Sequence, residues 1–252
     1  MSEAVASRVA VLPDVAVTVA GEPVRVPTRV ARLIAFLAVE RGRHTRGAVA
    51  TALWPDANAD RAYASLRATV FAMPPRIRSL LALTGPELEL EPEIDIDLHV
   101  ATRRAVALLA DDGLVPDGET LQMLGCDVLA GWSEEWLTCH QVRYGQLRAQ
   151  ALEVSARRFS ARGRHGLAVD TALAARHCDP LRESAHLALV RAHAAQGNRY
   201  QAVDAYRGYV RMLRDELGIA PQVQLAEIFA ADPATQPPER HLVAVAARDV
   251  VG

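Results

Sequence analysis

At 252 residues, half of them hydrophobic and only 5% aromatic, with a net charge of −2, the chain is long enough for two ordinary domains, each with its own core. Its apolar mass is mostly Ala, Val and Leu, which suits close helix-on-helix packing, and no run approaches the roughly 20 apolar residues of a membrane span, so a cytoplasmic protein is expected. All 28 basic residues are Arg; without Lys there is no ordinary Walker A loop, Schiff-base amine or lysine general base, and neither a GxSxG elbow nor an HExxH helix occurs, so the chain does not read as an enzyme.

Residues 8–12, 15–20 and 23–26 read as three short strands, with Gly21-Glu22 as a turn. Thr28 is expected to cap a first helix that turns Val30, Leu33, Ile34 and Leu37 to one face and ends near Gly42. A second helix starts at Thr45 and stops at Trp54-Pro55. A third, over residues 60–73, ends ahead of Pro74-Pro75, because a proline ring and its missing N–H oppose continuation. Ala62, Tyr63, Leu66, Val70 and Met73 form its expected buried side. Arg61, Ala64 and Ala68 lie opposite, flanked by Ser65 and Arg67. This pattern fits either a helix that lies close to DNA or an ordinary amphipathic helix with a solvated face.

Charge is uneven along this half. Between Arg25 and Arg78 ten Arg stand against Glu40, Asp56 and Asp60, an excess that reads equally as a phosphate-binding footprint or as an Arg-rich surface. Then Glu87, Glu89, Glu91, Glu93, Asp95 and Asp97 alternate with aliphatic residues. That period of two predicts strand, broken near Pro92, with the acids in solvent. A β-hairpin is expected around Gly85-Pro86.

Strands, three helices and a hairpin describe a winged helix. The leading strands and the phrase Leu53-Trp54-Pro55-Asp56 resemble the OmpR-type DNA-binding domain of the Streptomyces antibiotic regulatory protein (SARP) family. That resemblance implies DNA-facing roles for Arg61, Ser65, Arg67 and Ala68 on the third helix. It implies the same for Arg76 and Arg78 ahead of the wing, and for Arg43, Thr45 and Arg46 at the entry to the second helix. The family continues its third helix through a basic stretch where this chain has Pro74-Pro75, and the expected wing is acidic.

From residue 98 the chain reads as successive helices at about 98–110, 119–125, 133–162, 166–178, 182–196, 199–216 and 222–230. Gly163 recurs as Gly197, Ala168 as Ala202 and Asp170 as Asp204, while Ala172 matches Tyr206 and Ala175 matches Tyr209, all 34 residues apart. That is the tetratricopeptide period, with Gly at the turn and small Ala where helices approach closely. Trp132 and Trp136, four apart, are expected to lock their helix onto the repeat core. Arg182 and Glu183 are expected to form a local ion pair. Cys126, Cys139 and Cys178, odd in number and without CxxC spacing, read as buried thiols; Cys139-His140 and His177-Cys178 are poor metal pairs, since neighbouring helical side chains point about 100° apart. No metal or cofactor is expected.

The phrases Leu129-Ala130-Gly131-Trp132-Ser133-Glu134-Glu135-Trp136, Asp179-Pro180-Leu181-Arg182-Glu183 and Glu216-Leu217-Gly218-Ile219-Ala220-Pro221 resemble the bacterial transcriptional activator domain (BTAD). The expected fold is thus mainly α: an α+β winged helix over 1–97, a tetratricopeptide-like domain over 98–231, and a flexible tail over 232–252 whose apolar run at 242–247 is free to dock. The resemblance implies a transcriptional activator that binds direct repeats in double-stranded promoter DNA as a homodimer or side-by-side protomers. It also implies recruitment of RNA polymerase, in the setting of secondary metabolism. An adaptor that keeps the fold without binding DNA is the alternative, motivated by the two prolines and the acidic wing.

Overall fold

A computed structural model of the chain describes residues 7–230; the expected tail lies outside the described residues. Strands β1 (Arg8–Ala10), β2 (Ala16–Val19) and β3 (Glu22–Val24) form an antiparallel meander, and the turn between β2 and β3 needs Ala20 and Gly21 in left-handed conformation. Helices α1 (Thr28–Val39), α2 (Arg46–Leu53) and α3 (Ala59–Phe71) follow, with the two-residue strand β4 (His44–Thr45) between α1 and α2. A short helix, α4 (Pro75–Arg78), leads to the hairpin β5 (Leu81–Thr84) and β6 (Glu87–Leu90). Strand β6 pairs with both β5 and β4, giving a three-stranded sheet ordered β4-β6-β5. Three helices closed by such a hairpin are the winged-helix arrangement.

One local expectation fails here, and one element was unforeseen, each for an identifiable reason. Pro27, not Thr28, occupies the N-cap of α1, and Thr28 is already helical; no side chain caps this end. Pro75 starts α4 at its first turn, where a missing N–H costs nothing. The prolines thus end α3 and begin a second, unforeseen helix.

The strand β7 (Asp95–Ile96) returns to pair in parallel with β1, completing a sheet ordered β3-β2-β1-β7. Immediately after it begins α5 (Asp97–Ala110), followed by α6 (Gly118–Gly125), α7 (Glu135–Ala161), α8 (His165–Cys178), α9 (Glu183–Ala195), α10 (Arg199–Met212), one π turn (Leu213–Leu217) and α11 (Leu225–Ala230). The 34-residue period is visible as packing. Gly163 and Gly197 turn the chain at φ 71 and 79, and Ala168 and Ala202 are fully buried at the helix approaches. Tyr206 and Tyr209 fill the positions that Ala172 and Ala175 hold one repeat earlier, meeting edge-on at 5.9 Å. No helix among the described residues is long and apolar enough to cross a membrane.

The core of the first hundred residues does not end with them. One cluster runs from Val9 and Val17 through Leu33, Leu53, Leu66 and Leu88 to Ala101, Leu129, Leu137 and Tyr144. Backbone bonds stitch the same junction: Leu129 N–H donates to Val11 O at 2.9 Å and Ala130 N–H to Pro13 O at 2.7 Å. Arg32 pairs with Glu134 at 2.6 Å, His140 meets Glu40 at 2.9 Å, and Phe36 packs edge-on against Trp136 at 5.3 Å. The two tryptophans therefore anchor to the winged helix instead of the repeat core. Trp132 precedes α7 altogether, so the pair does not share a helical face.

Asp97 reverses another expectation. Instead of standing in solvent with the other acids, it is 2% exposed and accepts hydrogen bonds from Val11 N–H (2.9 Å), Leu12 N–H (3.1 Å) and Leu98 N–H (2.7 Å). The alternation ends because the chain turns into α5 there. Arg182 likewise passes over Glu183 for Glu153 at 2.6 Å, while Glu183 accepts from Tyr209 Oη. Sequence neighbours at a helix start diverge, and the partners come from adjacent helices.

Replacing Asp97 by Ala strands these N–H groups at about 1–3 kcal/mol each, so Asp97→Ala should lower unfolding stability by roughly 3 kcal/mol or more in urea titration. Burial raises the Asp97 carboxyl above its ordinary 3.8 despite those donors. Its own contribution to stability is then fullest below that ordinary value and declines as pH rises through the raised one. Asp97→Asn should lack this slope.

Candidate nucleic-acid interface

Helix α3 is set in place from both ends of its sequence pattern. Asn58 caps it, its Oδ1 accepting from Arg61 N–H at 3.0 Å, and Asp60 in the first turn complements the helix dipole. Ala62, Leu66, Thr69 and Val70 bury one face against α1 and α2, with the Thr69 hydroxyl donating to Ser65 O at 2.9 Å. Thr69 takes the place expected of Tyr63, which is 40% exposed. Tyr63 lies on the margin of the apolar stripe, where a large ring reaches solvent more readily than a short threonine does.

The opposite face carries Arg61, Ala64, Arg67 and Ala68, all exposed, with Ser65 half-buried at its edge. Neither Arg61 nor Arg67 forms an ion pair among the described residues. Phe71, 84% exposed at the end of the helix, is not among the residues expected to face DNA. Its outward direction is legible from helical spacing, but an isolated aromatic residue reads first as core.

The other candidate residues fall into two groups. At the entry to α2, Thr45 Oγ1 accepts from Ala48 N–H at 3.2 Å, an N-cap. Arg46 joins that entry to the hairpin turn, its backbone N–H donating to Pro86 O at 2.9 Å and its Nε to Gly85 O at 3.4 Å. Arg43 pairs with Glu89 at 2.9 Å across the β4–β6 ladder. On α4, Arg76 donates to Val19 O at 3.1 Å, tying that helix to β2, whereas Arg78 is exposed without an ion pair among the described residues. Arg61, Ser65, Arg67 and Ala68 thus share one helix side, flanked in sequence by basic residues that also brace the scaffold.

The acids of the hairpin and its outgoing strand stand close to basic residues. Glu89, Glu91, Glu93 and Asp95 line a cleft of about 310 Å³ together with Arg41, His99 and Arg103. There, burial and then the two guanidinium groups hold the His99 imidazole below its ordinary range. The described residues include no cluster of three His, Cys, Asp or Glu that could hold a metal. The cysteines are less buried than expected: Cys139 is exposed on α7, and Cys126 and Cys178 are half-buried near helix ends. A thiol's small size allowed either placement.

Comparison with known proteins places this architecture. The bacterial transcriptional activator domain family matches residues 115–231. Regulatory protein AfsR of Streptomyces coelicolor is 38% identical over 114 residues, a match covering 43% of this chain and 11% of AfsR. A solved structure of Mycobacterium tuberculosis EmbR in complex with a low affinity phosphopeptide superposes with a TM-score of 0.64 at 21% identity. That superposition covers 90% of this chain and 66% of the EmbR chain, and it is a likeness of fold. Residues 115–231 thus match the bacterial transcriptional activator domain family, within a mainly helical chain that carries a small N-terminal sheet.

Proposed function

We propose that the chain is a DNA-binding transcriptional activator, with residues 1–97 binding double-stranded promoter DNA and residues 98–231 engaging the transcription machinery. The observation that carries this reading is the outer side of α3, where Arg61 and Arg67 stand exposed, without ion-pair partners among the described residues, beside the small Ala64 and Ala68. Small residues let a helix approach the floor of the major groove, and the flanking guanidinium groups then reach phosphates or a guanine edge. In this reading Ser65, Arg78 and the α2 entry at Arg43, Thr45 and Arg46 contact the DNA phosphates, while Arg76 braces α4 against β2.

The adaptor alternative rests on the acidic hairpin. Pairing of Glu89 with Arg43, burial of Asp97, and the shared cleft with Arg41 and Arg103 reduce the negative field that motivated it. The family supports RNA polymerase as the partner of the helical repeat and protomers side by side on direct repeats, in cytoplasmic control of secondary metabolism. The junction described above gives such a protein a fixed geometry between reader and repeat.

Binding to a promoter fragment should fall steeply with salt. Arg61→Ala and Arg67→Ala should each weaken it and, where the lost contact is to phosphate, reduce the slope of log K against log salt by about one. Mobility shift across a salt series measures this; unchanged binding in both variants would overturn the reading. Glu89→Gln removes one negative charge and frees Arg43, so affinity should rise about two- to fivefold at low salt and return toward wild type as salt increases.

A further inference from the structure

Phe71 is 84% exposed, the most exposed large apolar side chain among the described residues, and phosphate attraction does not account for it. Successive residues of a helix advance by about 100°. With Ala62, Leu66, Thr69 and Val70 facing the core, Ala64 and Phe71, seven residues apart, project almost directly away from it. Arg61 and Arg67 then lie about 60° to either side of Ala64. The outer side of α3 is thus apolar along its centre from Ala64 to Phe71, with one arginine on each margin and Asp60 at its N-terminal end.

A surface of that form suits a polyanion with an apolar group recessed between its charges, more than it suits an apolar protein face. Duplex DNA offers such a surface in the major groove, where phosphates line the walls and the thymine C5-methyl is the apolar group presented by the bases. Asp60 shares this side of the helix but stands eleven residues before Phe71, about 16 Å back along the axis, so the cationic residue nearest the ring in sequence is Arg67. Ala68, one turn before Phe71, leaves room for the ring to approach a base edge.

We infer that Phe71 is a specificity-determining residue that packs on a thymine methyl in the major groove. This rests on the DNA-binding reading above and adds to it a base preference that arginine contacts alone would not produce. No bond forms or breaks; the discrimination comes from apolar surface removed from water.

The test begins with selection of a tight duplex from a random library by the full chain. Each thymine of that duplex is then replaced singly by deoxyuridine, which removes the methyl and keeps the pairing. Wild-type protein should bind about fourfold more weakly when one particular thymine, or two adjacent ones, is replaced, the effect of one buried methyl. Phe71→Ala should bind the thymine and deoxyuridine duplexes equally, while Arg67→Ala should bind both more weakly and keep the ratio between them. Thermal melting checks that each variant is folded. If no thymine matters to the wild type, or if Phe71→Ala retains the deoxyuridine penalty, the Phe71 assignment fails while DNA binding stands. If no duplex is enriched, the DNA-binding reading fails and this inference with it.

Discussion

Three backbone N–H groups, those of Val11, Leu12 and Leu98, converge on the buried carboxylate of Asp97, and the arrangement of the molecule follows from that convergence. The chain leaves β1 at Val11 and re-enters the same neighbourhood some 85 residues later, as β7 pairs in parallel with β1 and turns into α5. A buried acceptor with two oxygens satisfies donors from both passes that would otherwise lie unpaired in an apolar setting. The first helix of the second half is thereby held against the first sheet of the first half.

Apolar packing then extends what the carboxylate anchors. The cluster that holds α1, α2 and α3 together continues into Ala101, Leu129, Leu137 and Tyr144, with Trp136 against Phe36 and Arg32 against Glu134 at the rim. Leu129, fully buried, adopts a left-handed conformation at φ 48, and its N–H reaches Val11 O. A non-glycine residue rarely occupies that region, so surrounding packing must hold it there. The orientation of α3 relative to the repeat is therefore set by a shared core and not by a linker. Any partner held on the repeat would stand at a defined distance and angle from α3.

The electrostatic pattern also depends on folding. Along the sequence the basic block precedes an acidic block, which suggested a hairpin that would repel DNA. In space β6 is the central strand of its sheet, so Glu89 meets Arg43 beside β4, and the acids that follow line one cleft with Arg41 and Arg103. The arginines of α3 have no such partners among the described residues. The acids help to determine which arginines remain available.

What the sequence determined by itself was everything that depends on local period and local chemistry. The Pro74-Pro75 pair bounded α3 at its end, alternation around Gly85-Pro86 produced the β5–β6 hairpin, and the 34-residue recurrence of Gly163, Ala168 and their counterparts specified the helical repeat. What only the tertiary structure decided were choices among partners distant in the chain. Burial of Asp97, the turn of Trp136 toward Phe36, the pairing of Arg182 with Glu153, and the exchange of Tyr63 for Thr69 in the core each depend on which element arrives at that spot. An acid, an indole or a guanidinium has the same helical phase whatever faces it. Its role is settled when a second element supplies N–H groups, a ring or a carboxylate at bonding distance.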